Sequence, residues 1–182
     1  MNISKIHEFK TEIYEGHISF DQKKILRVLK LMNNIVSREK YMRTSYFKEK
    51  NILLHKNFEF LLEQCRPFYR YVAAKNNYKT VSVHSSWFQI YDKGDFHDTH
   101  IHDISNRVSH FWNFIFYIKC PKNSSNTIIL EPGYPYIDSN NRITIKPMVG
   151  GCVAFPGHVP HYVEPNYSGK RIVLSSNVEF KR

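Results

Sequence analysis

The residues of this chain with the clearest capacity for chemistry are histidines, and they fall in two stretches. One reads Gly94-Asp95-Phe96-His97-Asp98-Thr99-His100-Ile101-His102; the other reads Phe155-Pro156-Gly157-His158-Val159-Pro160-His161. His100 and His102 are two residues apart, a spacing that sets both imidazoles on one face of a β-strand. Two nitrogen ligands from one strand and a third, His161, from a turn would hold a metal ion with positions left open for other ligands. The Pro-Gly-x-x-Pro-His pattern suits a turn that pushes one imidazole inward, and His161 rather than His158 is the expected ligand. The plain alternative is that His100 and His102 are a polar strand face. His7, His17, His55 and His84 stand alone and read as surface histidines or as satisfied core ones.

The elements around these stretches must bring them together. Residues 1–18 read as a strand or extended arm whose ordered part is 13–18. Ser19 precedes Gln22 by three, the spacing of a capping box. Ile25, Val28, Leu29 and Met32 then carry the stripe of an amphipathic helix over 20–36. Asn57 is placed to cap a second helix through Lys75, with Pro67 expected to kink it or end its first part. From Thr80 the period changes to two: strands are predicted over 81–91, 96–102, 110–119, 127–131, 143–146, 152–155, 161–164 and 171–180. A loop over 121–126 and a turn-rich segment over 132–141 separate them. Helices first and then many short strands point to a mainly β fold, a sandwich or barrel with helical cover.

Composition narrows the class. The chain has 182 residues, 42% hydrophobic and 15% aromatic, enough for one globular domain spanning 1–182, with helical cover over about 19–76 and a β core over about 79–181. No run approaches the roughly 20 apolar residues of a membrane span, and Met1–Lys5 leads into no secretory apolar region. Cys65, Cys120 and Cys152 are odd in number and widely spaced, so a cytoplasmic location is expected over a disulfide framework. The formal charge of +10 and pI near 9.5 admit an acidic partner, nucleic acid included. The basic residues are nevertheless spread along the first half of the chain in no dense run, and solvated helix faces are the simpler account.

A mononuclear iron oxygenase needs three protein ligands on one face, with adjacent positions for co-substrate and O2. If the co-substrate is 2-oxoglutarate, its far carboxylate needs a planar, permanently charged partner, which arginine provides. Arg171 starts the strand after His161, and a pair formed by those two segments would carry metal ligand and carboxylate anchor together. Trp87 to Gly94, His100-Ile101-His102, Asn113 to Tyr117, Phe155-Pro156 with His161, and Arg171 to Asn177 resemble the 2-oxoglutarate/Fe(II)-dependent oxygenases. The match is nearest to a small bacterial and phage group with a His-x-His pair and a Phe-Pro-Ser-x-x-x-His turn. This resemblance covers roughly residues 40 to 180. It implies a double-stranded β-helix (a jelly roll, cupin-like) with helices packed on one sheet. It also implies Fe(II) at His100, His102 and His161, and 2-oxoglutarate at Arg171 with Tyr117 and Asn113. It departs from the wider superfamily in placing His102 where an acid is usual; Asp98 and Asp103 are the nearest carboxylates. Val173 stands where that superfamily often has serine, with Ser175 the nearest hydroxyl on that face, and Gln89 replaces an asparagine of the close group.

The implied activity is hydroxylation of a C–H bond, with O2 and 2-oxoglutarate consumed and succinate and CO2 released. A cupin-type metal protein that does not use 2-oxoglutarate is the alternative, since Gly94 and His-x-His match the start of that motif. The glutamate expected after His102 is missing, however, and Arg171 would have no duty. A binding module that has lost turnover is a third. The primary substrate (peptide, metabolite or nucleobase) is not written in the motifs, and the 121–147 segment with Tyr134 and Tyr136 is the expected entrance. The resemblance to a group found in bacteria and phages implies a bacterial cytoplasm or that of a phage-infected host, and the Lys/Asn/Ile/Tyr-rich composition is compatible with an AT-rich source.

Overall fold

The computed structural model describes residues 11–102, 111–131 and 138–182. In chain order its elements begin with β1 (Tyr14–His17), α1 (Gln22–Leu31), β2 (Ser37–Arg38), β3 (Arg43–Thr44), α2 (Glu59–Lys75) and β4 (Thr80–Tyr91). They continue with β5 (His97–His100), β6 (Phe111–Lys119), β7 (Thr127–Glu131), β8 (Asp138–Ile145), β9 (Gly151–Pro156), β10 (His161–Val163) and β11 (Arg171–Lys181). Seven strands form one antiparallel sheet in the order β1-β9-β6-β11-β4-β3-β2; four form the other, β5-β10-β7-β8. The expected mainly β architecture with helices on one sheet is what the chain adopts.

Alternation along the central strands builds two cores from one sheet. In β6, Trp112, Phe114, Phe116 and Ile118 face the helices, where they meet Ile25 of α1 and Leu61, Phe68 and Val72 of α2. The residues between them, Asn113, Ile115 and Tyr117, face the smaller sheet. There Ile115 and Tyr117 pack with Ile129, Val153, Phe155 and Val163. β11 does the same: Ile172, Leu174 and Val178 join the helical side, while Arg171, Val173, Ser175 and Asn177 share the other face. The second core therefore has aliphatic walls and a polar lining at its ends.

Several sequence expectations are corrected. Asp21, not Ser19, caps α1: its carboxylate accepts from the Lys24 backbone N–H at 3.0 Å. Gln22 instead donates to the Ile118 carbonyl at 2.6 Å, pinning the helix to β6. α1 ends at Leu31, and Asn33–Ile35 is a tight 3₁₀ turn, consistent with the poor helix propensity of two successive asparagines. Asn57 does not cap α2, because Phe58 holds that position with its ring fully buried. The helix runs on through Pro67, which lies on its exposed side, where water can satisfy the carbonyl that loses its partner. β8 starts at Asp138, inside the segment expected to be turns. Residues 1–10, Asp103 to His110, and 132–137 with Tyr134 and Tyr136 lie outside the described residues. β10 and β11 do not pair: they belong to opposite sheets, so His161 and Arg171 face each other's layer across the second core.

Candidate metal centre

β5 and β10 pair through an irregularity. His161 lies opposite His100 and Val163 opposite His97, so β5 spends three residues where β10 spends two. The extra residue turns His97 and His100 to one side despite their odd spacing, and their rings stack with centroids 3.9 Å apart. β5 ends at His100. His102 lies beyond it and is held instead by its backbone N–H, which donates to the Gly157 carbonyl at 2.9 Å. Glycine permits that approach: a Cβ at position 157 would stand 3.0 Å from the His102 carbonyl oxygen. The two histidine stretches thus meet, and the ligating nitrogens of His100, His102 and His161 lie within 4.8 Å of one another.

The hydrogen bonds decide which nitrogens are free. His100 Nδ1 is 2.7 Å from the Asp98 carbonyl, His161 Nδ1 is 3.0 Å from the Val159 carbonyl, and His102 Nδ1 is 2.8 Å from Asn177 Oδ1. These oxygens only accept, so each Nδ1 carries the proton and each Nε2 presents a lone pair. Asn177 is oriented in turn by its Nδ2, which donates to the Ser85 hydroxyl at 3.0 Å. Burial keeps the rings uncharged. It pushes His161 well below the usual histidine range, lowers His100, and takes His102 down to about 4. Three neutral imidazoles with converging lone pairs are a donor set for a divalent ion.

His97 is wired differently. Gln89 Nε2 donates to His97 Nδ1 at 3.3 Å, and Gln89 Oε1 accepts from the Ser175 hydroxyl at 3.0 Å. The proton of His97 therefore sits on Nε2, making this ring a donor beside the cluster and not a member of it. Asp98 is exposed and also outside the cluster; Asp103 lies outside the described residues.

Across the second core is Arg171, a cation with no exposed surface. Its Nη2 donates to Thr127 Oγ1 at 2.9 Å, and Tyr117 donates to the same oxygen at 2.9 Å. The guanidinium carbon lies 4.8 Å from the Tyr91 ring centre and 5.4 Å from that of Tyr117. Its Nε and Nη1, and the Tyr91 hydroxyl, have no hydrogen-bond partner. Among the described residues no carboxylate pairs with it. A buried cation left with two free donors is costly, and an anionic ligand answers that cost. Burial raises the Tyr91 phenol to about 12, against the pull of Arg171, so it too is a donor at neutral pH.

Beside the triad, opposite Asn177 and at the other end of the inner face from Arg171, Asn113 also keeps both side-chain polar atoms unpartnered. It lines a cavity of only about 10 Å³ with Gln89, Ile115, His161 and Ser175, room for about one water. A diacid reaching from the triad to Arg171 must displace some of these side chains. On the other side of the triad a groove of about 420 Å³ opens outward, walled by Tyr41, Met42, Tyr46, Phe47 and Trp87. The sequence placed His100, His102, His161, Arg171, Tyr117 and Asn113 in one site, and all six face the second core or its mouth. It missed the roles of His97, Tyr91, Thr127 and Asn177. Position parity with Arg171 on β11 would have flagged Asn177, the polar residue at the far end of one inner face.

The comparisons with known proteins bear on the family and the fold. The family model described as "Putative 2OG-Fe(II) oxygenase" matches residues 85–177, just over half of the chain. Three solved structures illustrate the fold. A Pseudomonas putida prolyl-4-hydroxylase is 12% identical, with 94% of this chain and 93% of that one covered and a TM-score of 0.63. The viral collagen prolyl hydroxylase vCPH of Paramecium Bursaria Chlorella virus-1, in its 2OG complex, is 12% identical over 93% and 96%, TM-score 0.64. HygX from Streptomyces hygroscopicus, with nickel and 2-oxoglutarate bound, is 8% identical over 93% and 83%, TM-score 0.65. No curated protein sequence matches the chain. Fold and donor set define a double-stranded β-helix metalloprotein. The chain belongs to the 2OG-Fe(II) oxygenase family, and its cofactors are those of that family, Fe(II) with 2-oxoglutarate as co-substrate.

Proposed function

We propose that His100, His102 and His161 hold Fe(II) through their Nε2 atoms. Arg171, with the Tyr91 and Tyr117 hydroxyls nearby, receives the far carboxylate of 2-oxoglutarate, and a C–H bond presented from the outer groove is hydroxylated. With both bound, the centre supplies the family's O2-activating redox chemistry, in which the diacid yields succinate and CO2. The chain's own residues do the positioning. Asp98, Val159 and Asn177 hold the three imidazoles in the ligating tautomer, and the wall of Ile115, Phe155 and Val163 keeps water from the space between. Asn113, opposite Asn177 at the triad's end of the sheet, offers a donor and an acceptor to whatever binds beside the metal. The triad is neutral, so the protein leaves an Fe(II) charge that a dianionic co-substrate balances.

The observation that carries this reading is the buried, half-satisfied Arg171 on the sheet opposite the triad. A cupin-type centre gives that cation no task. The test is anaerobic titration of Fe(II)-loaded protein with 2-oxoglutarate, following the visible charge-transfer band of the chelate. The wild type should saturate. Arg171→Ala should keep its iron and bind the diacid at least about 30-fold more weakly, as expected when a buried charged partner is removed. Equal affinity in that variant would overturn the anchor, and absence of a band in iron-loaded wild type would overturn the use of 2-oxoglutarate at this centre.

A further inference from the structure

The chain's positive charge is not evenly placed. Residues 20–79 hold 14 Lys and Arg against 5 Asp and Glu, a net +9, whereas residues 80–182 hold 10 against 8. Within that basic part, Lys40-Tyr41-Met42-Arg43-Thr44-Ser45-Tyr46-Phe47-Lys48-Glu49-Lys50 interleaves cations with aromatic rings, and its Lys40, Tyr41, Met42, Thr44, Tyr46 and Phe47 wall the groove beside the triad, with Lys48 and Lys50 following on in the chain. Its one acid and the acid just before it have local partners: Glu49 accepts from the Asn51 backbone N–H, and Glu39 from the Ser37 hydroxyl. Arg38 and Arg43 are occupied by Asp95 and Asp92. Lys40, Lys48 and Lys50 are exposed, and none has a carboxylate partner among the described residues. Lys40 Nζ sits 4.6 Å from the Tyr41 ring centre, and Lys48 Nζ donates to the Asn34 carbonyl.

The aromatic rings run from solvent to the metal site. Phe47 is 66% exposed and Tyr46 38%. Phe47 meets Tyr46 with ring centres 5.3 Å apart, Tyr46 meets Trp87 at 5.0 Å, and Trp87 stacks on His102 at 5.5 Å and 25°. Flat rings flanked by unpaired ammonium groups are the two halves of a site for single-stranded nucleic acid, with stacking for the bases and cations for the backbone. Resting on the assignment of the triad as the oxygenase centre, we infer that the outer groove binds single-stranded nucleic acid, laying one nucleobase on the exposed Tyr46 or Phe47 ring at its outer wall. The groove volume lies within the range, about 300–1,000 Å³, of pockets that enclose a small molecule, so a base with its sugar has room. An acidic peptide would use the lysines and leave the exposed rings idle. Intact duplex would keep its bases inside the helical stack and away from the wall.

The test uses the full chain and a single-stranded DNA of about eight nucleotides carrying 2-aminopurine, whose fluorescence is quenched on stacking. Binding should quench the probe and weaken steeply with added salt. Lys40→Glu/Lys48→Glu should lower affinity at least tenfold, and Tyr46→Ala/Phe47→Ala should lower it roughly tenfold and abolish the quench. All four side chains are at the surface, so the variants should fold. Unquenched binding, or equal affinity in the aromatic variant, would mean mere attraction of a polyanion to a basic protein and would overturn the inference. Preference for a poly-glutamate peptide over the oligonucleotide, or no binding of either, would overturn it as well. The readout needs neither iron nor 2-oxoglutarate. A missing charge-transfer band with intact stacking would therefore fault the oxygenase assignment alone.

Discussion

The two faces of the larger sheet are made by alternate residues of the same strands, yet they obey opposite rules. On the helical face Phe88, Phe114, Phe116, Leu174 and Phe180 are buried among apolar neighbours. On the inner face Arg171, Tyr91 and Asn113 are equally buried but carry polar atoms with no partner. One face spends burial on stability, each large side chain contributing about 1.5–3 kcal/mol. The other holds unsatisfied groups that a fold selected for stability alone would have replaced. That asymmetry locates function without any motif: it marks where ligands are to complete the hydrogen bonding.

The largest expected change comes from the helical face. Phe114→Ala removes a fully buried ring packed against Phe68 and Tyr69, at 5.5 and 4.7 Å between centres. It should destabilise by about 3–5 kcal/mol, measured by urea unfolding. A loss under about 1 kcal/mol would show that this face is not the main core. On the inner face the sign reverses. Arg171→Met exchanges an uncompensated buried cation for an apolar chain, while Thr127 keeps the Tyr117 donor. The metal-free protein should gain about 1–3 kcal/mol even as 2-oxoglutarate binding is lost. A clear fall in stability would mean that the cation already has its partner within the fold.

Asn177→Ala is a smaller cut at the same face. It removes the acceptor that holds the His102 proton on Nδ1, leaving the ring free to rotate or switch tautomer. Partners of this kind typically set metal affinity by about 10–100-fold, and a loss in that range is expected by competition with a chelator. Asn177→Asp, which keeps an acceptor, should restore most of it. Unchanged affinity in Asn177→Ala would show that the Gly157 backbone contact alone positions His102.

Much of this was readable from residue types at period two, because alternation is a local property. Phe114 and Phe116 against Asn113 and Tyr117, or Leu174 against Arg171 and Ser175, sort themselves onto faces without tertiary knowledge. What depends on pairing between distant segments was not readable. His97 joins the cluster's side only because β5 bulges against β10, and no feature of His97-Asp98-Thr99-His100 itself announces a bulge. Arg171 was expected to pair with the strand of His161; proximity in sequence suggested a hairpin, whereas the chain crosses between sheets over 164–170. The helix cap was misassigned because Ser19 and Asp21 are both competent, and the position of Ile25 against β6 decides between them.

The turn carrying the third ligand supplies the finest contrast. His158 and His161 are three residues apart in one tight turn, yet His158 is exposed and His161 is 3% exposed. The backbone accounts for the split. Gly157 donates to the Phe111 carbonyl and accepts from His102, and Val159 donates to the Pro156 carbonyl, so the chain reverses at His158 with its side chain outward. His161 then enters β10 opposite His100 and is turned in. His158→Ala should therefore change stability by less than about 0.5 kcal/mol and leave iron stoichiometry intact, whereas His161→Ala should leave no iron after desalting. If the metal went with His158 instead, the turn would have to invert in solution, and the fixed Nδ1 contact of His161 with Val159 would have to be given up with it.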